Sequence, residues 1–282
     1  MASPSGQVSE TPAELADGPL AVRFLGTGGA DWRGRDERGE MRRFCSTQFD
    51  GKILIDFTSK AEDMLPPGYH PSAIFYTHSH RDHYEPAAAV RLAPAAVYVG
   101  KTWFQRAVQD FSRASRETHL PIPEIIPLSV GESVQVEGIR LTALPANHST
   151  SDPVEQTLIY LLEKKDIRVL YATDTGGIMT AAARLAGIDA HVKGTPITGL
   201  IMEATMGLDH DEDFRLFSHS SVNDVLRITH MLLKTERYTP REGQPVYLTH
   251  LARTLHGTQA ELDRNLPAPL RAAYDGLEVL FR

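Results

Sequence analysis

The sequence lacks the usual features of secreted and membrane proteins. Cys45 is the only cysteine among 282 residues, which excludes a disulfide framework, a thiolate zinc cluster and a CxxC redox pair. No run approaches the roughly 18 consecutive apolar residues that a membrane span needs. The N-terminus lacks a basic region followed by an apolar core, so it does not predict a secretory signal. We therefore expect a cytoplasmic protein with no membrane partner.

The chain is acidic overall, and its charge does not indicate a nucleic-acid interface. The formal net charge is −7, whereas broad binding to a phosphate backbone calls for a basic face. Residues 1–18 are rich in Ser, Pro and Gly and are predicted to form a flexible leader. Residues 19–282 show no internal repeat or low-complexity linker, which predicts one domain with a large core.

Short β-rich apolar runs alternate with helical stretches along the whole domain. Several strands follow one another in the first half and again over residues 125–174, with little helix between them. That order predicts an α/β fold with two mixed sheets and helices outside, rather than strict βαβ alternation. Helices are predicted at residues 85–92, 101–116, 177–186, 221–234 and 258–264, the last with a Thr258–Glu261 capping box.

The motif HxHxDH, at residues 78–83, is the strongest chemical signal. It brings His78, His80, Asp82 and His83 into six residues, and imidazole with carboxylate suits zinc, manganese or iron. At the end of a strand, the first two histidines can face one ion while Asp82 and His83 turn toward a second. The alternative is a polar turn with incidental histidines, but each buried imidazole would then need its own partner.

Three further candidates follow predicted strands: His148, Asp174 and His250. Side chains at strand ends converge on one edge of a sheet, where loops form a site on a rigid scaffold. Taken singly, a histidine after a strand is more often structural, and Asp174 before Thr-Gly-Gly is explained as a turn residue. Together with HxHxDH they would complete two cation sites.

This ordered set resembles the metallo-β-lactamase superfamily, specifically its phosphodiesterase branch, over residues 21–282. The resemblance implies an αββα sandwich of two mixed β-sheets flanked by helices. It also implies a first metal held by His78, His80 and His148, and a second by Asp82, His83 and His250, with Asp174 bridging the two. The hydrolytic β-lactamases place a cysteine near the bridging position, and Cys45 lies far upstream of it, which argues against an antibiotic hydrolase.

The C-terminal part is similar to the ending of the tRNA 3′-endonucleases. In those enzymes a His-Glu-Ala-Thr box precedes a His-Ser-Thr segment, and here the segments are GLIMEATMG (199–207) and HSSVNDVL (219–226). Met202 replaces the first histidine of the box. The resemblance implies His219 as general acid, with Glu203 as its orienting partner. The alternative for His219 is a neighbour of a helix N-cap formed by Ser220 or Ser221.

The N-terminal part, with GTGGADW (26–32) and RRFCSTQF (42–49), resembles the phosphoribosyl cyclic phosphodiesterases. Those enzymes bind a structural zinc through loop cysteines, which this chain lacks. Its loop carries arginines instead, and Arg42 and Arg43 are the candidates for substrate binding because guanidinium binds phosphate bidentately. The alternative is a solvated loop whose charges are balanced by its own acidic residues.

The functional hypothesis is a hydrolase that uses two divalent ions, Zn²⁺ or Mn²⁺ or Fe. The ions would share a hydroxide that attacks a small phosphodiester, cyclic or nucleotide, with Asp82, His219 and Glu203 as catalytic residues. Lactone or carboxylic ester hydrolysis, tRNA processing and a non-enzymatic metal-binding scaffold are the alternatives. The resemblance further suggests a homodimer.

Overall fold

The computed structural model describes residues 15–191 and 194–282. The predicted leader therefore lies largely outside the described residues. Its last part is in contact with the domain, since the backbone N–H of Ala16 donates to the carbonyl of Gly138 at 2.9 Å. No helix in the described ranges is long and apolar enough to cross a membrane.

Two seven-stranded mixed sheets form the centre of the fold. The first sheet has the order β14-β1-β2-β3-β4-β5-β6. Pairing is antiparallel from β14 to β3 and parallel from β3 to β6. Its strands are β1 (Leu20–Gly26), β2 (Ser46–Phe49), β3 (Ile53–Ile55), β4 (Ala73–Phe75), β5 (Ala96–Gly100), β6 (Glu124–Leu128) and β14 (Glu278–Phe281).

The second sheet has the order β13-β12-β11-β10-β9-β8-β7. Pairing is antiparallel from β7 to β10 and parallel from β10 to β13. Its strands are β7 (Ser133–Val136), β8 (Ile139–Pro145), β9 (Leu158–Lys164), β10 (Ile167–Ala172), β11 (Gly199–Glu203), β12 (Val246–Thr249) and β13 (Leu270–Ala272).

Helices cover the outer face of each sheet. Side chains of a strand alternate between its two faces, and β10 sends Val169 and Tyr171 to the core between the sheets and Leu170 to the core under the helices. The predicted αββα sandwich is therefore confirmed. The helices are α1 (Pro86–Leu92), α2 (Phe104–Thr118), α3 (Thr180–Leu185), α4 (Val222–Lys234) and α5 (Gln259–Asn265), with 3₁₀ turns at Ser59–Met64, Lys101–Trp103 and Phe214–Phe217.

Helix boundaries follow local chemistry. The capping box of α5 forms as predicted, with Thr258 accepting from the backbone of Glu261 and Glu261 returning a bond to Thr258. The helix predicted from residue 177 begins only at Thr180, because Gly177 has a positive φ of 84° that an α-helix does not allow. The sequence patterns missed β2, β6, β13 and β14, which are three to five residues long.

Phe281 of β14 ties the two sheets together. Its side chain is 1% exposed and lies edge-on to Tyr247 of the second sheet, with ring centroids 5.9 Å apart. A Cβ on Gly199 of β11 would lie 2.5 Å from this ring, so the glycine leaves the space that Phe281 fills.

We expect Phe281→Ala to lower the free energy of unfolding by about 3–5 kcal/mol, the usual cost of emptying a buried aromatic site. The matched control is Leu280→Ala in the same strand, where the side chain is 43% exposed and the expected cost is within about 0.5 kcal/mol. Urea unfolding of both variants measures the difference. Equal stabilities would contradict the role of Phe281.

Candidate metal centre

Polar side chains collect where four central strands end. His78 follows β4, His148 follows β8, Asp174 follows β10 and His250 follows β12 directly. After His78 the chain makes a tight turn, in which the backbone N–H groups of His83 and Tyr84 both donate to the carbonyl of His80. The turn folds the HxHxDH segment back on itself, so both halves of the motif reach the same place.

The structure brings His78, His80 and His148 together as one group. The Nε2 atom of His78 lies 2.9 Å from Nδ1 of His80, and that atom lies 3.1 Å from Nε2 of His148. Tetrahedral zinc with bonds of 2.0–2.1 Å places two nitrogen ligands about 3.3 Å apart. The group therefore has nearly the spacing that one ion needs.

Asp82, His83 and His250 form the second group. The Oδ2 atom of Asp82 lies 3.3 Å from Nε2 of His83 and 3.3 Å from Nε2 of His250. Asp174 stands between the two groups, because its Oδ2 is 2.6 Å from Nε2 of His83 and 3.4 Å from Nε2 of His78. The grouping matches the division of ligands that the resemblance implies. That these residues bind metal stays a prediction.

Outer hydrogen bonds fix the protonated nitrogen of two histidines in the second half of the site. Asp56 accepts from Nδ1 of His83 at 2.7 Å. Thr205 donates its hydroxyl proton to Glu203 at 2.5 Å, so its oxygen is left to accept from Nδ1 of His250 at 2.8 Å. In the neutral form of each ring, Nε2 then carries a lone pair that faces the centre of the site.

Two of the three histidines in the first group are held in the same way. The Thr77 hydroxyl donates to Asp56, so its oxygen accepts from Nδ1 of His78 at 2.9 Å. The carbonyl of Ser218 accepts from Nδ1 of His148 at 3.1 Å. Inward-facing lone pairs repel one another unless a proton or a cation lies between them. The residues present therefore fit divalent cations.

Unpartnered atoms support the same conclusion. The Nε2 atom of His83 and the Oδ1 atom of Asp174 are buried and make no hydrogen bond of good geometry within the described ranges, although Oδ2 of Asp174 lies 2.6 Å from that Nε2 and Nδ1 of His250 lies 3.1 Å from that Oδ1. A buried polar atom without a partner costs free energy. Coordination of a cation would satisfy atoms in these positions.

The backbone is constrained at three residues of the site. Asp56, Asp174 and His250 have φ of 56°, 48° and 54°, in the left-handed region. That region costs a non-glycine residue about 1–2 kcal/mol, and such residues concentrate at functional sites. At these positions the backbone turns sharply at the strand end, which directs the side chain into the site.

Burial and neighbouring charges shift the pKa values of the cluster in opposite directions. Burial, together with nearby His83, holds the pKa of His78 well below its usual range. For His83, burial is outweighed by Asp174, Asp82 and Asp56, and the pKa is well above its usual range. Asp82 keeps a pKa well below its usual range, since the adjacent His83 and His250 outweigh its burial.

His219 and Glu203 are in direct contact, as the sequence predicts. Nδ1 of His219 lies 3.1 Å from Oε1 of Glu203, whose carboxylate is fully buried and also accepts from the backbone of Thr175. Burial lowers the pKa of His219, but Glu203 and Asp174 outweigh it and raise the value to about 9. Ser221 is the N-cap of α4, so the structural alternative for this segment also holds.

Arg42 and Arg43 have structural partners. Arg42 is buried and donates to Thr27, to the carbonyl of Ala273 and to Gln259. Arg43 pairs with Asp63 and with Asp275. These contacts join the loop after β1 to the C-terminal segment and favour a structural role over the predicted phosphate binding. Substrate binding by either arginine stays a prediction.

Two carboxylates that no sequence pattern indicates position the ligands. Asp56 holds His83 and accepts from the backbone and hydroxyl of Thr77. Glu155 accepts from the backbone N–H and the hydroxyl of Ser79, each at 2.7 Å, and pairs with Arg106. Glu155 thereby joins the HxHxDH segment to the loop that follows His148. A lone Asp or Glu carries no spacing pattern, so only the fold reveals these two.

Comparison with known families identifies the class of protein. A family profile described as the beta-lactamase superfamily domain matches residues 55–238, about two-thirds of the chain. The chain belongs to this family, and the predicted resemblance to the metallo-β-lactamase superfamily is confirmed. The matched range contains every predicted ligand except His250. A search of curated protein sequences found no match.

Solved structures show the same fold at low sequence identity. The human short-form tRNase Z has a TM-score of 0.66 and 16% identity, covering 93% of this chain and 99% of its own. The metallo-β-lactamase fold protein YhfI of Bacillus subtilis has a TM-score of 0.65 and 15% identity, covering 93% and 100%. Zn²⁺-bound PqqB of Methylobacterium extorquens has a TM-score of 0.64 and 15% identity, covering 92% and 99%.

We expect Asp56→Asn to weaken binding of Zn²⁺ by about 10–100-fold, because an amide cannot accept from all three donors that the carboxylate serves. Asparagine tolerates the positive φ, so the fold should be kept. The control is Asp50→Asn, a second aspartate with positive φ that accepts from the backbone of Ala21 outside the site. Calorimetric titration measures both, and unchanged affinity in Asp56→Asn would contradict the positioning role.

Proposed function

We propose that this protein is a hydrolase of small phosphodiesters that works with two divalent cations. The observation that carries the proposal is the direction of the imidazole lone pairs. Four histidines donate hydrogen bonds from Nδ1 to fixed oxygens outside the site. Their Nε2 atoms therefore point inward and converge with the carboxylates of Asp82 and Asp174. A site organised in this way suits metal ions better than protons.

Charge favours two ions over one. Four carboxyl groups are buried around the site, and no lysine or arginine ion pair to any of them occurs in the described chain. Buried charge of one sign must be compensated. Glu203 already has a cationic partner in His219, so two divalent cations would bring their four positive charges chiefly to Asp56, Asp82 and Asp174.

In this proposal the ligands divide as the geometry groups them. His78, His80 and His148 would hold one ion, and Asp82, His83 and His250 the other, with Asp174 shared. When bound, such ions lower the pKa of water to about 7 and neutralise charge on a phosphoryl group. The chain's own residues keep most of the site rigid, because four of the ligands are held from outside by hydrogen bonds: His78, His83, His148 and His250.

His219 is suited to deliver a proton to the leaving oxygen. Glu203 holds its Nδ1, which orients the ring and leaves Nε2 without a hydrogen-bond partner among the described residues. The residue is partly exposed beside Asp174, with Nδ1 3.4 Å from Oδ1 of that carboxylate. A leaving oxygen released beside Asp174 would therefore lie close to the imidazole of His219, which can protonate it.

Two arguments favour a small phosphodiester as the substrate: the proteins that share this fold, and the net charge of the chain. The fold of a tRNase Z supports phosphodiester cleavage on this scaffold, and a zinc-bound relative supports zinc as the metal. The net charge of −7 disfavours a long polyanion such as RNA, so a small diester is the better match.

The test is turnover of bis-p-nitrophenyl phosphate by protein stripped with a chelator and reloaded with Zn²⁺ or Mn²⁺, alongside a panel of lactones. We expect Asp174→Asn to lower kcat/KM by more than about 100-fold and to reduce the metal content, because both sites lose a ligand. The control is Asp166→Asn, an exposed residue of the turn between β9 and β10.

Either of two results would count against the proposal. Hydrolysis of lactones without hydrolysis of the diester would reject the phosphodiester class. Full activity and full metal content in Asp174→Asn would reject the shared carboxylate and with it the two-ion site.

A further inference from the structure

The 3₁₀ turn Phe214–Phe217 exposes two aromatic rings to solvent. Phe214 is 75% exposed and Phe217 is 79% exposed. The backbone beneath them is nevertheless well fixed. Asp213 caps the turn and pairs with Arg215 at 2.7 Å, and the carbonyl of Arg215 accepts from the N–H groups of Ser218 and His219. The rings are therefore presented by an ordered segment.

This turn adjoins the candidate metal centre. The carbonyl of Ser218, the next residue, accepts from Nδ1 of His148 at 3.1 Å, and His219 follows. A Cβ on Gly176 would lie 3.2 Å from the carbonyl oxygen of Leu216, so the turn also packs against the segment after Asp174. Since consecutive Cα atoms are about 3.8 Å apart, Phe217 stands at the edge of the site.

Two other loops that follow strands of the second sheet expose large apolar side chains as well. Val154 is 68% exposed in the loop between His148 and β9, and Met179 is 38% exposed just after the Asp174 segment. The three loops that follow β8, β10 and β11 thus each present apolar surface. We call Val154, Met179, Phe214 and Phe217 the apolar rim.

Charge near the rim restricts what can cover it. The residues before the turn are strongly acidic: Asp209, Asp211, Glu212 and Asp213. Such a run repels a polyanion and an anionic lipid surface. A protein seated permanently on the turn would also cover the neighbouring His148 and His219. An uncharged group that arrives and leaves with the substrate is compatible with both the acidic residues and an accessible site.

We propose that the apolar rim, with Phe217 foremost, binds an uncharged aromatic group esterified to the phosphate of the substrate. The proposal rests on the proposed function, and it narrows the substrate to aryl or similarly flat apolar diesters. A ring placed against Phe217 would gain an aromatic contact and bury apolar surface that is otherwise exposed.

The test compares two diesters that share a leaving group: phenyl p-nitrophenyl phosphate and methyl p-nitrophenyl phosphate. With metal-loaded protein we expect a lower KM for the phenyl ester. Phe217→Ser should remove about 5- to 10-fold of that preference. Phe217→Tyr should retain the preference, because it keeps the ring.

The control variant is Ile122→Ser. Ile122 is 46% exposed and precedes β6, at the end of the first sheet opposite the strand ends that carry the site. It should keep the full preference for the phenyl ester. A preference that survives in Phe217→Ser would overturn the proposal.

A binding measurement separates this proposal from the proposed function. Calorimetry with phenylphosphonate and methylphosphonate reports the preference without turnover. If neither diester is hydrolysed but Phe217→Ser loses the preference for phenylphosphonate, the proposed function fails and the rim proposal stands. If Phe217→Ser instead turns a dimer into a monomer in sedimentation and leaves both preferences intact, the rings belong to an interface and the rim proposal fails.

Discussion

The orientation of a few imidazole rings is the constraint on which the rest of the structure depends. A histidine presents a lone pair to a cation only if its other nitrogen is held by an acceptor. Here the acceptors are a carboxylate on His83, hydroxyl oxygens on His78 and His250, and a backbone carbonyl on His148. Each of these oxygens is itself fixed by the fold.

The two-sheet sandwich supplies that rigidity. Strands buried on both faces, such as β10, end at one edge between the sheets, and the ligands follow within a few residues. Left-handed backbone at Asp174 and His250 turns these side chains inward. Its conformational cost is offset by the packing of the surrounding hydrophobic cores. Rigid strand ends leave little freedom for ligands that must meet from distant parts of the chain.

Much of this could be predicted from the sequence because it has a periodic or ordered signature. The alternation of strands predicts two sheets, and HxHxDH with the later His148, Asp174 and His250 predicts the cluster that the fold assembles. The capping box at Thr258 is a local pattern and formed as expected. A local pattern can be predicted because it depends on neighbours in the chain, and the ordered ligand set could be predicted because it resembles the pattern of a known family.

What the sequence did not reveal depends on distant contacts. Asp56 and Glu155 act on residues 27 and 76 positions away, and a single carboxylate carries no spacing signal. Arg42 looks like a phosphate ligand in a basic loop, yet its guanidinium contacts Ala273, 231 residues further on. Short strands such as β13 are equally hard to predict, since three residues show no clear period.

Metal stoichiometry tests the central claim most directly. Native mass spectrometry of chelator-treated protein, titrated with Zn²⁺, counts the ions bound to each folded chain. We expect two ions per chain at saturation. We also expect His148→Ala and His250→Ala each to bind one, because each removes a ligand from a different group. Saturation at one ion or none in the native chain, or two ions retained in both variants, would contradict the two-ion site.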